Sequence, residues 1–192
     1  MAYLEPHIHK IFQNDLLPEE TIVWVGQPDP KRLFTSADIF LVPFSLLWGG
    51  FAIFFFVSLW GTPVMDVFGL VFAIVGMYFI FGRFLFKILK KKHTYYAVTN
   101  NRVLVLTTLV TRSLRAAFID RIPSINKSVH FGRGTITFGN RRSWTFMYEN
   151  TGMEFLSWGY GDDVPTFHDI KDVDTVYTLV NELREKKEPE IF

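Results

Sequence analysis

Two long apolar runs in the first half of the chain dominate its pattern of hydrophobic and polar positions. Residues 39–60 carry no charged side chain, and a second apolar run extends from about residue 65 to 86. A helix needs about 20 apolar residues to cross a bilayer, and both runs are long enough. The pattern predicts a transmembrane helical hairpin over residues 35–92, with spans at about 39–60 and 65–86. The alternative, a pair of buried helices in a soluble protein, is disfavoured by the length of the uncharged run.

The sequence also indicates where the first helix begins and how the two helices pack. Thr35 and Asp38 have the spacing of a capping box immediately before the first run. The connection at residues 61–66 is short, which predicts an antiparallel pair. Small residues allow close helix approach, within the hairpin or, alternatively, between copies of the chain. The small residues predicted at such contacts are Gly49, Gly50, Gly69, Ala73 and Gly76.

Basic residues flank the helical hairpin on one side only. Lys31 and Arg32 precede the first run, several cations follow the second, and the connecting turn has none. Because cytoplasmic flanks carry the excess of Lys and Arg, we expect an inner (plasma) membrane protein with both termini in the cytoplasm. Long apolar stems would let Arg83 and Lys87 extend their charges to the lipid headgroups.

Beyond residue 93 the pattern changes to short strands followed by one helix. Two β-rich runs joined by Asn100-Asn101 predict a hairpin, because Asn tolerates positive φ. Apolar positions three and four residues apart between Val173 and Leu183 predict an amphipathic C-terminal helix. We therefore expect a cytoplasmic β-sandwich or open barrel capped by this helix over residues 93–188, with a tail at 189–192. Further strands are predicted at "SLRAAFI", "SINKSVH", "TITF", "SWTFMY", "EFLSW" and "PTFHDI".

Two other segments leave alternatives open. The N-terminal segment, residues 1–34, contains "TIVWV", a predicted short strand that either adds to the edge of the sheet or covers the membrane side of the domain. The predicted strand with "VLVL" is apolar on both faces. Since successive side chains of a strand point to opposite faces, it is either buried on both sides or meets a partner with one of them.

Charge is unevenly distributed, although the net charge is only +1. Residues 90–150 contain eleven Lys and Arg against two acids, whereas residues 151–192 contain ten acids and four bases. If successive strands alternate in direction along the membrane normal, the bases divide into a membrane-proximal and a distal set. The proximal set is predicted to bind anionic phospholipid headgroups and comprises Arg83, Lys87, Lys90, Lys91, Lys92, Arg112 and Arg133. The distal set is predicted to dock an acidic partner and comprises Arg102, Arg121, Arg141 and Arg142.

Signatures of catalysis are missing from the sequence. The chain has no cysteine, which excludes disulfides and thiolate chemistry. It also has no phosphate loop, dinucleotide fingerprint or nucleophile elbow. His7 and His9 could hold a metal, but no cysteine and no clear carboxylate spacing supports such a site. We therefore predict that the protein is not an enzyme, holds no cofactor or metal and does not bind nucleic acid.

Four segments, in their order around the two apolar runs, resemble a known family. They are residues 16–30, 95–106, 121–125 and 165–180, and Thr99-Asn100-Asn101-Arg102 fits the family's hairpin pattern. The chain resembles bacterial pleckstrin-homology-domain membrane proteins of the short type with two transmembrane helices. The resemblance implies a pleckstrin-homology-like fold and no particular activity; only Arg102 stands where eukaryotic relatives carry a basic lipid-binding motif.

The predicted function is therefore binding. We expect a non-enzymatic, membrane-anchored scaffold or accessory subunit of a membrane protein assembly, whose partners are other membrane proteins or a second copy of the chain. The alternative is a sensor of anionic lipid headgroups at the inner leaflet.

Overall fold

The chain divides into two compact units in a computed structural model of the protein. The helical unit contains residues 31–88 and also residues 150–153. The β unit contains the residues before 31, residues 89–140 and the residues from 164 onward. The structure describes residues 6–58, 60–61, 63–130, 133–140, 150–153 and 164–187.

Two long helical stretches form the helical unit. Helix α2 spans Asp38–Ser58, and helix α3 spans Pro63–Met77. A π-helical turn, Tyr78–Gly82, then leads without a break into α4, Arg83–Lys92. Within the described residues, Asp38–Ser58 and Asp66–Lys92 are long and apolar enough to cross a membrane. The predicted apolar helices are therefore present, and the second extends beyond residue 86 to Lys92.

The start of α2 is fixed by Thr35 and Asp38. The Asp38 carboxylate accepts hydrogen bonds from the backbone N–H of Thr35 at 2.6 Å and from its hydroxyl at 2.8 Å. The Asp38 N–H donates to the carbonyl of Thr35 instead of to its hydroxyl. The predicted capping box is thus half formed, because only the carboxylate makes its expected contact with the backbone.

Helices α2 and α3 approach closely where small residues meet. A Cβ placed on Gly76 would lie 3.1 Å from both the Cα of Gly49 and the Cβ of Ala52, and a Cβ on Gly69 would lie 3.2 Å from the Cα of Phe56. Predicted packing within the pair is confirmed at these glycines. Gly50 differs, since, its own helical backbone aside, no atom of the described residues lies within 4 Å of the position of its missing Cβ. Ala73 is half-buried on α3.

The β unit consists of two antiparallel sheets and a C-terminal helix. The first sheet has the order β1-β2-β3-β4, and the second has the order β5-β6-β7. Predicted strands at residues 143–148 and 154–158 lie outside the described residues. The elements are β1 (Ile22–Gly26), β2 (Thr94–Thr99), β3 (Arg102–Thr107), β4 (Ser113–Phe118), β5 (Ile125–His130), β6 (Arg133–Phe138), β7 (Thr166–Ile170) and α5 (Val173–Glu185).

Both sheets and α5 share one hydrophobic core. Phe167 of β7 lies at its centre, with its ring centroid 4.6 Å from Tyr96, 4.8 Å from Phe138 and 5.7 Å from Trp24. Helix α5 adds Val173, Val176 and Val180, all buried. The apolar face predicted for the C-terminal helix is therefore the face that closes the core.

Strand β3 is buried on both faces by this chain alone. Val103 and Val105 face the main core, while Leu104 and Leu106 pack in a second cluster with Phe12 and Ile8. These last two residues belong to helix α1, Pro6–Phe12. Of the two alternatives for "VLVL", burial on both sides is confirmed.

The N-terminal segment supplies the edge strand of the first sheet. Strand β1 pairs antiparallel with β2, and Gly26 lies opposite Tyr96. The prediction that "TIVWV" adds to the sheet edge is confirmed. Residues 6–30 are therefore part of the β unit, although the two apolar helices separate them from its other strands in sequence.

The β2–β3 hairpin forms as predicted but for a different reason. Among the described non-glycine residues, positive φ occurs at Glu19, Asn150 and Asp169 and not at the hairpin asparagines. The Thr99 hydroxyl instead accepts hydrogen bonds from the N–H groups of Asn101 at 3.1 Å and Arg102 at 2.8 Å. A side-chain hydrogen bond, and not left-handed backbone, holds this turn.

Candidate functional site

Helix α4 turns its cations inward. Arg83, Lys87 and Lys91 are four residues apart and so share one face of the helix, and each is at most 4% exposed. Leu85 and Leu89 are 61% and 40% exposed. The prediction that Arg83 and Lys87 extend outward to headgroups is not what the structure shows, because both charges are enclosed by protein.

Asp38 holds the first two of these cations within the helical unit. Nη1 of Arg83 lies 2.6 Å from Oδ1 of Asp38, and Nζ of Lys87 lies 3.6 Å from Oδ2. Lys87 also donates to the carbonyl of Leu33, and the Arg83 guanidinium lies 4.3 Å from the ring centre of Phe84. One buried carboxylate therefore pairs with two buried cations. Removing one member of such a cluster destabilises the fold, because it leaves buried charge uncompensated.

The π-helical turn determines which face of α4 carries the cations. A π turn adds a residue to the helix, which rotates everything after it by about 100° relative to an unbroken α-helix. The Tyr78 hydroxyl donates to the carbonyl of Gly152 at 2.7 Å. Gly152 has φ +83°, and a Cβ there would overlap the carbonyl oxygen of Arg83. The segment 150–153 thus packs directly against this turn.

Gly152→Ala is expected to lower the free energy of unfolding by about 2–4 kcal/mol. The reason is the combined cost of left-handed backbone for a residue with a Cβ and of overpacking against a rigid carbonyl. Thermal unfolding of the purified protein in detergent, followed by circular dichroism, measures the loss. Gly50→Ala is the matched control and should change the stability by at most about 1 kcal/mol, since open space surrounds it. Equal stability of the two variants would contradict the packing of residues 150–153.

The third buried cation of α4 belongs to an ion cluster in the β unit. Nζ of Lys91 lies 2.6 Å from Oδ2 of Asp169 and 3.2 Å from the carbonyl oxygen of Asp29. The Asp29 carboxylate accepts from Nη2 of Arg133 at 2.9 Å. The structure thus brings together Lys91 and Arg133, two members of the predicted proximal set, but it pairs both with carboxylates. Their neighbours Lys90 and Lys92 are half-buried and exposed, respectively.

Two arginines that the sequence assigned to opposite sets contact the same residue. Arg112 donates to the carboxylate of Asp15 and to the carbonyl of Ile11, and Arg102 donates to the carbonyl of Asp15 at 3.0 Å. Both anchor the N-terminal segment to the first sheet. The proximal and distal assignment therefore does not separate these two side chains.

Arg102 and Glu20 form a buried bidentate ion pair. Nε of Arg102 lies 2.9 Å from Oε1 and Nη2 lies 2.6 Å from Oε2. Burial raises the pKa of the Glu20 carboxyl, but the hydrogen bonds from Arg102, the Leu17 N–H and the Thr99 hydroxyl, with the charge of Arg102, lower it to about 2. The predicted docking residue Arg102 is thus buried, and its ion pair with Glu20 connects the segment just before β1 to the β2–β3 hairpin.

Of the remaining three members of the distal set, the structure describes Arg121. Arg121 is exposed, with its guanidinium 5.3 Å from the ring centre of Phe118 and 4.0 Å from the Asp120 carboxylate. Arg141 and Arg142 lie outside the described residues. Docking by Arg121 therefore stays a prediction that its exposure permits.

Sequence reasoning missed the acids that bind the basic residues. It attributed the predicted proximal and distal bases to lipid or to partners, yet four of the five carboxylates named below precede residue 39. The negative balance of the N-terminal segment was the available signal, but no local pattern indicates which acid meets which base. The missed partners are Asp15, Glu20, Asp29, Asp38 and Asp169.

Comparison of the chain with protein-family models, with curated proteins and with solved structures finds no match.

Proposed function

We propose that this protein is a membrane-anchored binding module whose two apolar helices span the inner membrane, with both termini in the cytoplasm. The observation that carries the proposal is the outward exposure of large apolar side chains along α2: Phe40 is 79%, Leu47 74% and Phe54 69% exposed. In each long helix only 17% of the most apolar window is buried within the protein. A soluble protein rarely exposes so large an apolar surface, whereas a bilayer covers it.

The proposal includes a pleckstrin-homology-like fold for the β unit. A four-stranded and a three-stranded antiparallel sheet that share one core with a C-terminal helix support it. In this arrangement β1 comes before the membrane helices, and the other six described strands follow them. We infer a scaffold or accessory subunit that acts by binding another protein and catalyses no reaction, while the resemblance to the bacterial membrane family supports only the fold.

Headgroup sensing receives less support than protein binding. Of the seven cations predicted to reach lipid, five contact carboxylates of this chain, and three of these five are buried. A cation already paired with a carboxylate gains little from a lipid phosphate. The five paired cations are Arg83, Lys87, Lys91, Arg112 and Arg133.

Membrane anchoring is tested by fractionation of cells that express the full chain. The protein is expected in the membrane pellet after an alkaline carbonate wash and in solution only after detergent is added. Leu47→Arg combined with Phe54→Arg should reduce the membrane-inserted fraction, because each Arg costs about 3 kcal/mol near a helix centre. Val110→Arg, at a position 85% exposed in the β unit, is the matched control and should leave the distribution unchanged.

The same cells report the orientation of the chain. Since the native sequence lacks cysteine, Lys171→Cys provides a single thiol in the β unit. A membrane-impermeant maleimide should label it in inverted vesicles and not in intact cells. Release of the unmodified protein by carbonate would refute the anchoring, and labelling of intact cells would refute the orientation.

A further inference from the structure

Strand β4 is an edge strand of the first sheet as the described residues form it. Within the described part of the chain it pairs with β3 alone, and five of its six residues are exposed. Strand β5, the neighbouring edge of the second sheet, is more polar, and its Lys127 is paired with Asp174 at 2.7 Å. An exposed apolar edge strand is a template for pairing with another chain.

One hydrogen bond fixes which backbone groups of β4 point outward. The N–H of Ile119 donates to the carbonyl of Asn101 at 3.0 Å, in the same register that places Phe118 opposite Arg102. In an antiparallel ladder, bonded and non-bonded residue pairs alternate. The N–H and C=O groups of Leu114, Ala116 and Phe118 therefore point away from β3, towards the open edge.

The same three residues form an apolar row next to positive charge. Leu114 and Ala116 lie opposite Leu106 and Leu104, so their side chains extend the face of the sheet that α1 partly covers. Leu114 and Phe118 are 36% and 41% exposed. Arg115, between them, is exposed on the other face, and Arg121 lies against the ring of Phe118.

We propose that the β4 edge binds an extended, acidic segment of a partner protein by strand addition. Outward backbone groups would supply the ladder hydrogen bonds, and alternate side chains would supply the specificity. Apolar residues of the partner would lie beside Leu114, Ala116 and Phe118, and carboxylates would face Arg115 and Arg121. This inference rests on the proposed function as a binding module and names the chemistry of its partner.

A second copy of β4 fits this edge less well. The outward N–H and C=O groups of β4 belong to even-numbered residues. In an antiparallel pair of two β4 strands these groups must bond each other, so even-numbered residues lie opposite even-numbered ones and odd-numbered residues lie opposite odd-numbered ones. Two Arg115 side chains then fall on one face, opposite or diagonal to each other, where like charges destabilise a pair. A lipid surface fits less well than a strand, because it offers no complementary ladder to the outward N–H and C=O groups.

The test measures binding of a labelled peptide to the full chain in detergent micelles by fluorescence anisotropy. A short peptide of alternating Val and Glu should bind about tenfold more tightly than one of alternating Val and Lys. Ala116→Pro removes an outward N–H, and Arg115→Glu reverses the facing charge, so each should weaken binding by about tenfold. Lys171→Glu is the charge-matched control and should bind as the native protein does.

Ala117→Pro checks the assigned direction of the backbone groups. Its N–H faces β3, so this variant should unfold at lower temperature, whereas an edge position such as 116 tolerates proline. If Ala116→Pro fails to fold, Arg115→Glu still decides the outcome. The inference is overturned if both peptides bind equally, if neither variant weakens binding, or if sizing shows a dimer that Ala116→Pro abolishes. If the native protein binds neither peptide but stays in the membrane pellet, this inference is rejected and the anchoring stands.

Discussion

Replacing Asp38 with Asn is expected to lower the free energy of unfolding by about 3–5 kcal/mol, the usual cost of removing one partner from a buried ion pair. The substitution keeps the shape of the side chain and removes its charge. Arg83 and Lys87 would then remain buried with no carboxylate between them. Within the described residues, Nε and Nη2 of Arg83 have no hydrogen-bond acceptor even in the native protein, so the guanidinium is poorly placed to tolerate the loss.

Thermal unfolding in detergent micelles measures this effect. Asp66→Asn is the matched control, because Asp66 begins the second apolar stretch and, within the described residues, its carboxylate accepts a hydrogen bond from the N–H of Gly61 at 3.0 Å. It should cost no more than about 1.5 kcal/mol. A combined Asp38→Leu, Arg83→Met and Lys87→Met variant should recover most of the loss, since apolar residues often replace a whole buried ion cluster without cost. If Asp38→Asn melts like the native protein, the two cations reach water or lipid phosphate after all.

The second large effect is a loss of stability in acid that depends on Glu20. Its carboxyl pKa is about 2 in the folded protein, against 4.5 as its ordinary value. A group with a depressed pKa stabilises the fold above its unfolded pKa, and that contribution disappears as the pH falls from about 4.5 towards 2. The difference corresponds to about 3 kcal/mol.

Denaturant unfolding at a series of pH values measures this contribution. Glu20→Gln should be less stable than the native protein at pH 7, and the difference between the two should shrink as the pH falls to about 2. Glu19→Gln, at an exposed neighbouring position, should follow the native curve at every pH. A constant difference between the native protein and Glu20→Gln across the series would show that the Arg102 pair does not depend on ionisation of Glu20.

Elements that arise from local pattern were predictable from the sequence. The uncharged run predicted α2, the β-rich runs on either side of Asn100-Asn101 predicted β2 and β3, and the three-and-four spacing predicted α5. These signals are local because the side-chain period of a helix or strand follows directly from its backbone geometry. The small residues at Gly49 and Gly76 were likewise readable, since close helix approach requires them.

Long-range partners were not predictable in the same way. Periodicity places Arg83, Lys87 and Lys91 on one helix face, but it does not say whether that face meets water or a buried carboxylate. The answer depends on Asp38 and Asp169, which are 45 and 78 residues away from the cations they bind. Similarly, an apolar strand such as β3 gives no sign of what covers its second face.

The pairing of β1 with β2 has a consequence for synthesis of the chain. Gly26 meets Tyr96, 70 positions later. At about 5–20 residues per second, the ribosome needs about 4–14 s to make that interval. During this time the N-terminal strand has no partner strand, because both apolar helices are synthesised before β2. Completion of the β unit therefore depends on prior synthesis of the helical stretches: a fragment translated from residue 89 onward lacks the edge strand β1, the Glu20 that pairs with Arg102, and the helix α1 that covers one face of the first sheet.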